Sequence, residues 1–239
     1  MHFVRPEHQI IAEMLERMDS RFLLDCECWF GGGTAIVLKL GEYRKSLDLD
    51  FLCASREGYR KLREGFFEHG VRAVFPEPVQ TLREVRADAY GIRMIVGLHG
   101  QPIRFEIVNE PRIELRGAYD PDLKVPALLP ESMFAEKLLA NADRCQDRAV
   151  AYRDALDLGR LVETYQAIPD AAVKAAEGAY GKDIARFMAW VLNRLRDDNE
   201  IRYAAEALDM DFDAAARAVA VLRQAALHVW PDRGIEEEV

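Results

Sequence analysis

Gly31-Gly32-Gly33-Thr34-Ala35, an apolar run, and then Arg44-Lys45-Ser46-Leu47-Asp48-Leu49-Asp50-Phe51 form the stretch on which the reading of this chain turns. Residues 46–53 read as a strand, along which successive side chains alternate faces. Asp48 and Asp50 then project from one side, and Leu47, Leu49 and Phe51 from the other. Two carboxylates held that close repel unless something cationic lies between them. Hard oxygen donors of this type suit Mg²⁺, or Mn²⁺ in its place, bridging to substrate phosphates. The plain alternative is a pair of solvated carboxylates on an exposed sheet face.

The glycines favour the first reading. Backbone without side chains at Gly31 to Gly33 can approach an anion closely. The helix expected over residues 34–40 would point its unpaired N–H groups and positive dipole end at that anion. Thr34 would either cap this helix or bind phosphate. Neither the Gly-x-x-x-x-Gly-Lys-Ser/Thr pattern nor the Gly-x-Gly-x-x-Gly pattern is present, which argues against a P-loop and against a dinucleotide site. A third carboxylate comes from farther along. Residues 91–98 and 102–109 read as a hairpin turning at His99-Gly100-Gln101, and Glu106 sits in its second strand among apolar residues. Glu106 would join a metal site, or else pair with Arg104 or Arg93 across the sheet.

The remainder sets the frame. The chain has 239 residues, half of them hydrophobic, enough to build a large core or two smaller ones. Up to about Arg116 helical and strand signals are mixed, with helices expected near Glu7 to Met18 and Glu57 to His69. The turn formers around Tyr119-Asp120-Pro121-Asp122 and from Pro126 to Pro130 read as a connection. Beyond them, helices are expected near residues 131–146, 149–165, 170–180, 182–196 and 211–228. This predicts an α+β protein: a mixed-sheet domain with flanking helices over residues 1–118, and an α-helical bundle over residues 119–239. The acidic end, Glu236-Glu237-Glu238, reads as a solvated terminus.

Four cysteines without Cys-x-x-Cys spacing and five scattered histidines give no zinc pattern, and the thiols read as reduced core residues. No apolar run approaches the ~20 residues that span a bilayer, and the start lacks a signal-peptide core, so a cytoplasmic protein is expected. A net charge of −9 argues against a surface coated for nonspecific nucleic-acid binding but leaves room for a local basic cleft. On the first helix of the bundle Lys137 and Arg144 are seven apart, a cationic row that would face a triphosphate. On the next helix lie Asp154 and Asp157. The plain alternative there is an ion-paired helix surface, with Arg153 meeting Asp157 at four residues' distance.

Taken together, the Gly-Gly-Gly-Thr-Ala segment, Arg44-x-Ser46-x-Asp48-Leu49-Asp50-Phe51, Ala135-Glu136-Lys137-Leu138 and Arg153-Asp154-x-x-Asp157-Leu158 resemble the AbiEii/AbiGii toxin family. That family belongs to the DNA polymerase β-like nucleotidyltransferase superfamily. The resemblance spans roughly residues 25–165. It implies a minimal nucleotidyltransferase domain followed by a helical domain, and a metal-dependent transfer of a nucleoside monophosphate from an NTP to an acceptor hydroxyl, with release of pyrophosphate. It implies a toxin of a toxin–antitoxin or phage-defence system, with a cognate antitoxin as partner and tRNA or another RNA as acceptor. It implies metal ligation by Asp48 and Asp50, which Glu106 would join as the third carboxylate read from the hairpin, nucleotide binding by Gly32, Gly33, Thr34, Arg44, Ser46 and Lys137, and a catalytic part for Lys137 and for one of Asp154 and Asp157. Two alternatives stand beside it: a nucleotidyltransferase acting on a small molecule or protein, and a nucleotide-binding regulatory module without transfer.

Overall fold

A computed structural model describes residues 3–237. Met1, His2, Glu238 and Val239 lie outside the described residues, and with them part of the acidic end. The elements in chain order are α1 (Pro6–Glu16), α2 (Ser20–Asp25), β1 (Cys28–Phe30), α3 (Gly32–Lys39), β2 (Leu49–Cys53), α4 (Arg56–His69), β3 (Gln80–Ala87), β4 (Gly91–Leu98), β5 (Gln101–Asn109), β6 (Gly117–Asp120) and β7 (Val125–Leu128). The helices α5 (Pro130–Arg144), α6 (Arg153–Tyr165), α7 (Asp170–Tyr180), α8 (Asp183–Arg194), α9 (Asp198–Leu208) and α10 (Phe212–Val229) follow. The chain is α+β, as its sequence predicts. It divides into two compact units. The first runs to Leu38 and resumes over Ser46–Leu129, and the second takes Lys39–Lys45 and everything from Pro130.

The first unit is built on a mixed seven-stranded sheet in the order β3-β4-β5-β2-β1-β7-β6. Strand β2 runs parallel to β5 and antiparallel to β1. Period-two alternation divides the sheet residues between two faces. One face carries Phe30, Phe51, Ile92, Met94, Val96, Ile103, Phe105 and Ile107, and it packs with α1 residues Ile11, Met14 and Leu15 and α4 residues Tyr59, Leu62 and Phe66. Under the middle of the sheet the rings of Phe30, Phe51, Phe105 and Phe75 touch in series, at centroid distances of 5.2, 5.7 and 5.8 Å. Such aromatic series add packing energy to the area they bury and hold the strands above them rigidly. Ser55 caps α4 by accepting from the Gly58 amide.

The expected domain boundary moves. Residues 119–129 are no connection: β6 and β7 form a hairpin, and β7 joins the sheet beside β1 through Phe30 and Ala127. Pro121 and Pro126 hide this in the sequence, because proline lacks the N–H a ladder uses and argues against an inner strand. The hairpin turn between β4 and β5 is also tighter than expected. Gln101 already pairs with Leu98, and His99 and Gly100 alone make the turn, both at positive φ, as two-residue turns of this hand require.

The second unit is helical, with α6 packed against α5 and α10. Gly159 lets α6 and α10 approach: a Cβ there would lie 2.2 Å from the Ala218 carbonyl oxygen. Helix α9 does not stand out in the sequence, since Asp197 and Asp198 read as loop. The Asp197 carboxylate instead caps the helix through the Asn199 amide. The acidic end is docked as far as it is described: the Glu236 amide donates to Asn193 and its carboxylate pairs with Arg196.

Candidate active site

Cross-strand register assembles the first unit's polar face. Asp50 on β2 lies opposite Glu106 on β5, Glu106 opposite Arg93 on β4, and Arg93 opposite Arg86 on β3. Residues directly opposite share a face, so these four form one row across four strands. Asp48 precedes the first ladder residue of β2, so the expected strand over residues 46–53 begins at Leu49. Its Oδ2 lies 3.9 Å from Arg104 Nη1, on the strand that carries Glu106. Glu106 Oε1 accepts from Arg93 Nε at 2.7 Å, which is the cross-strand pairing weighed above as the plain alternative. Among the described residues, no three His, Cys, Asp or Glu side chains gather closely enough to hold a metal ion by themselves.

The glycine turn reaches this row from the other side. The Gly31 amide donates to the Asp50 carbonyl oxygen at 2.9 Å. Gly32 opens α3 at φ +64°, and a Cβ on it would meet Asp50 Oδ2 at 2.8 Å and Asp50 Cβ at 2.9 Å. Only glycine fits there, both because of the left-handed backbone and because the Asp50 side chain occupies the space. Helix α3 starts two residues earlier than expected, so Thr34 is not its cap. The buried Thr34 hydroxyl lies 2.8 Å from Ser46 Oγ and ties the helix to the segment that leads through Asp48 into β2. The Ser46 amide donates to His8 Nε2 at 3.3 Å. His8 is buried in α1 and carries no sequence signal for this task, because its partner is a backbone group far along the chain.

The other expected residues lie in the second unit and form a buried charge network. Lys137 is 2 % exposed. Its Nζ donates to Asp154 Oδ1 at 3.0 Å and lies 3.5 Å from Asp157 Oδ2. Arg144 does not extend an open cationic row, because its Nε and Nη2 both donate to Asp154, at 2.7 and 2.9 Å. Nor is Asp157 held by Arg153. It is fully buried and accepts from Arg44 Nε at 2.7 Å, Arg44 Nη2 at 2.8 Å and Tyr43 Oη at 2.6 Å. Arg44, expected at the nucleotide, is thus a bidentate partner of Asp157, the strongest form such a pair takes.

Electrostatics follow the contacts. Burial alone would raise the Asp154 carboxyl, but Lys137 and Arg144 outweigh it and hold the group far below the usual carboxylate range. Burial likewise works against the Lys137 charge, and Glu136, Asp154 and Asp157 together push its pKa above the ordinary lysine value. Glu136 is the exception. Burial raises its pKa, and its Oε2 lies 3.7 Å from Lys137 Nζ with no hydrogen bond. Away from this network the four cysteines are free and buried, and burial lifts the Cys26 thiol to about 11 and that of Cys53 to about 12.

The turn into α6 completes the network's frame. Ala151 and Tyr152, neither a glycine, both adopt the left-handed region at φ +52°, a conformation that persists only when its surroundings enforce it. The Tyr152 hydroxyl donates to Glu200 at 2.8 Å, and Arg148 and Arg194 grip the same carboxylate. Glu200 lies in α9, which explains why the sequence gives it no apparent role.

Most of the chain is similar to known nucleotidyl transferases. The family described as "Nucleotidyl transferase AbiEii toxin, Type IV TA system" matches residues 13–226. A presumptive nucleotidyltransferase from H. pylori is similar at 18% identity and a TM-score of 0.55, over 98% of this chain and 100% of that one. JHP933 from Helicobacter pylori is similar at 18% identity and a TM-score of 0.57, over 96% of each chain. At such identity these two likenesses concern the fold. No curated protein is significantly similar.

Proposed function

We propose that this chain, which belongs to the AbiEii nucleotidyl transferase toxin family, transfers a nucleoside monophosphate from an NTP to a hydroxyl of an RNA acceptor, tRNA foremost, and releases pyrophosphate. That it is a nucleotidyltransferase follows from the family. The acceptor, the metal and the residue roles are our reading. The observation that carries the reading is the row Asp50–Glu106, with Asp48 on the same face and the glycine turn of α3 closing against Asp50.

Asp48, Asp50 and Glu106 have the donor chemistry that suits Mg²⁺ or Mn²⁺, and the space a Gly32 side chain would fill is left to the Asp50 carboxylate. Because these three do not by themselves surround one point, phosphate oxygens and water would supply the remaining ligands. When bound, the cation would supply charge neutralisation on the phosphates and acidify the attacking hydroxyl. Unpaired amides at the start of α3 would hold the terminal phosphates. The Thr34–Ser46 contact keeps helix and strand in register. Glu106, once released from Arg93, would accept the acceptor hydroxyl's proton. Lys137 would stabilise charge on the departing pyrophosphate, its ammonium kept protonated by Asp154 and Asp157. As a member of a toxin family of a type IV toxin–antitoxin system, it would have an antitoxin as genetic partner and would act in the cytoplasm. No helix among the described residues is long and apolar enough to cross a membrane.

The test is to incubate the protein with each α-labelled NTP and with separated cellular RNA, protein and small-molecule fractions, with and without chelator. Label is expected in RNA, dependent on the divalent ion, and lost by about three orders of magnitude in Asp50→Asn. Label in the protein or small-molecule fraction would replace the acceptor, and full activity in Asp50→Asn would refute the site.

A further inference from the structure

The row that carries Asp50 and Glu106 continues outward into arginines. Arg86 lies directly opposite Arg93, an arrangement of like charges that destabilises an antiparallel pair unless an anion joins them. Arg93 has Glu106 and Asp88 as partners. Arg86 has none among the described residues, and neither has Arg83. Register shifts between Thr81 and Arg83, and again between Arg83 and Arg86, put Arg83 opposite Ile95. Ile95 shares the Arg93 face, so both β3 arginines point to the side of the carboxylates. Arg104, 68% exposed, adds a fourth from β5. Glu84, within the second shift, is the nearest acid on β3. Beside the Arg86 and Arg93 rung, the β3–β4 turn presents Tyr90 with 76% of its surface open. In a chain of net charge −9, this concentrates four arginines and one open aromatic ring at the β3 end of the sheet.

We infer that this edge docks the acceptor: a single-stranded RNA end whose phosphates lie on Arg83, Arg86 and Arg104, whose base stacks on Tyr90, and whose terminal hydroxyl is led along the row toward Glu106 and Asp50. The inference rests on the proposed nucleotide transfer to RNA and names the surface that would select it. Three strand spacings, about 15 Å, separate Arg86 from Asp50, a distance a strand of RNA spans without any duplex entering the site. Arginine forks suit phosphate, and an exposed aromatic ring suits any base, so the edge would read charge and single-strandedness rather than sequence.

Fluorescence anisotropy of a short fluorescein-labelled single-stranded RNA tests it on the full chain. Arg83→Ala/Arg86→Ala is expected to weaken binding at low salt at least tenfold. It should also reduce the slope of log affinity against log salt by about 1.4, at ~0.7 per phosphate contact. Tyr90→Ala is expected to weaken binding about tenfold with the slope unchanged. The control, Arg56→Ala/Arg60→Ala, alters α4, which packs on the opposite face, and should change neither quantity. Thermal melts and Mg²⁺–NTP titrations of all variants should match wild type. Equal affinity and slope in Arg83→Ala/Arg86→Ala, equal loss in the α4 control, or no RNA binding by wild type would overturn the inference. RNA bound through these arginines but never labelled would refute the transfer reaction and leave the docking edge standing. RNA labelled at full rate by Arg83→Ala/Arg86→Ala would do the reverse.

Discussion

The two clusters of charge in this molecule are built to opposite rules. On the first unit's sheet, Asp48 is 39% exposed and its cation stands 3.9 Å away, and Glu106 shares an arginine that is itself divided between two acids. In the second unit, Asp154 and Asp157 are buried and held by short, partly bidentate contacts from Arg44, Lys137 and Arg144. A carboxylate left partly in water, with a partner that is distant as at Asp48 or solvent-exposed and shared as at Glu106, can exchange that partner for a ligand at little cost. A buried one cannot, since breaking its pair strands a charge in a medium that solvates it poorly. The first cluster is therefore suited to binding, and the second to fixing backbone and side chains in place.

The largest effect should come from breaking the buried cluster. Asp157→Ala leaves the Arg44 guanidinium buried and unpaired and should lower folding stability by about 3–5 kcal/mol, measured by denaturant melts. A loss below about 1 kcal/mol would mean that water reaches Arg44 and that the contrast between the clusters is overdrawn.

Lys137 sharpens the comparison because it belongs to the buried cluster by geometry and to the reaction by proposal. Lys137→Met keeps much of its volume and removes its charge. If the proposal holds, transfer measured well below the melting temperature should fall about a hundredfold or more, beyond what the melt accounts for. Activity near normal in a folded Lys137→Met would confine this lysine to the network.

On the open face, Glu106→Gln should reduce kcat about tenfold or more while the KM for NTP changes little, because a proton-accepting role is felt in the transition state. Unchanged kcat with a lower melting temperature would leave Glu106 as the structural partner of Arg93.

Acid gives the smallest and most graded effect. The Asp154 carboxyl is depressed in the folded protein, so its contribution to stability is complete above its unfolded value near about 4 and is lost as pH falls below that. Glu136, raised by burial, works the other way, because protonating it relieves the fold. Stability should hold from neutral pH to about 5 and decline below about 4, and Asp154→Asn should flatten the decline. An acid limb as steep in Asp154→Asn as in wild type would place the acid-sensitive groups elsewhere.

The α+β class, the glycine turn before α3, and the strands of Asp50 and Glu106 are legible along the chain alone. These follow from local periodicity and from residue types whose backbone preferences are strong. Segment patterns also singled out Lys137, Asp154 and Asp157 but not what they touch. Long-range packing paired Arg44 with Asp157 and placed Asp50 opposite Glu106. It alone made an edge strand and an inner strand of the proline-bearing stretch 117–128, and it brought His8 to Ser46 and Glu200 to Tyr152. Each of these joins groups far apart along the chain, and nothing in either segment's own preferences records the partner. A buried charge or imidazole takes its role from the group that meets it once the core has closed.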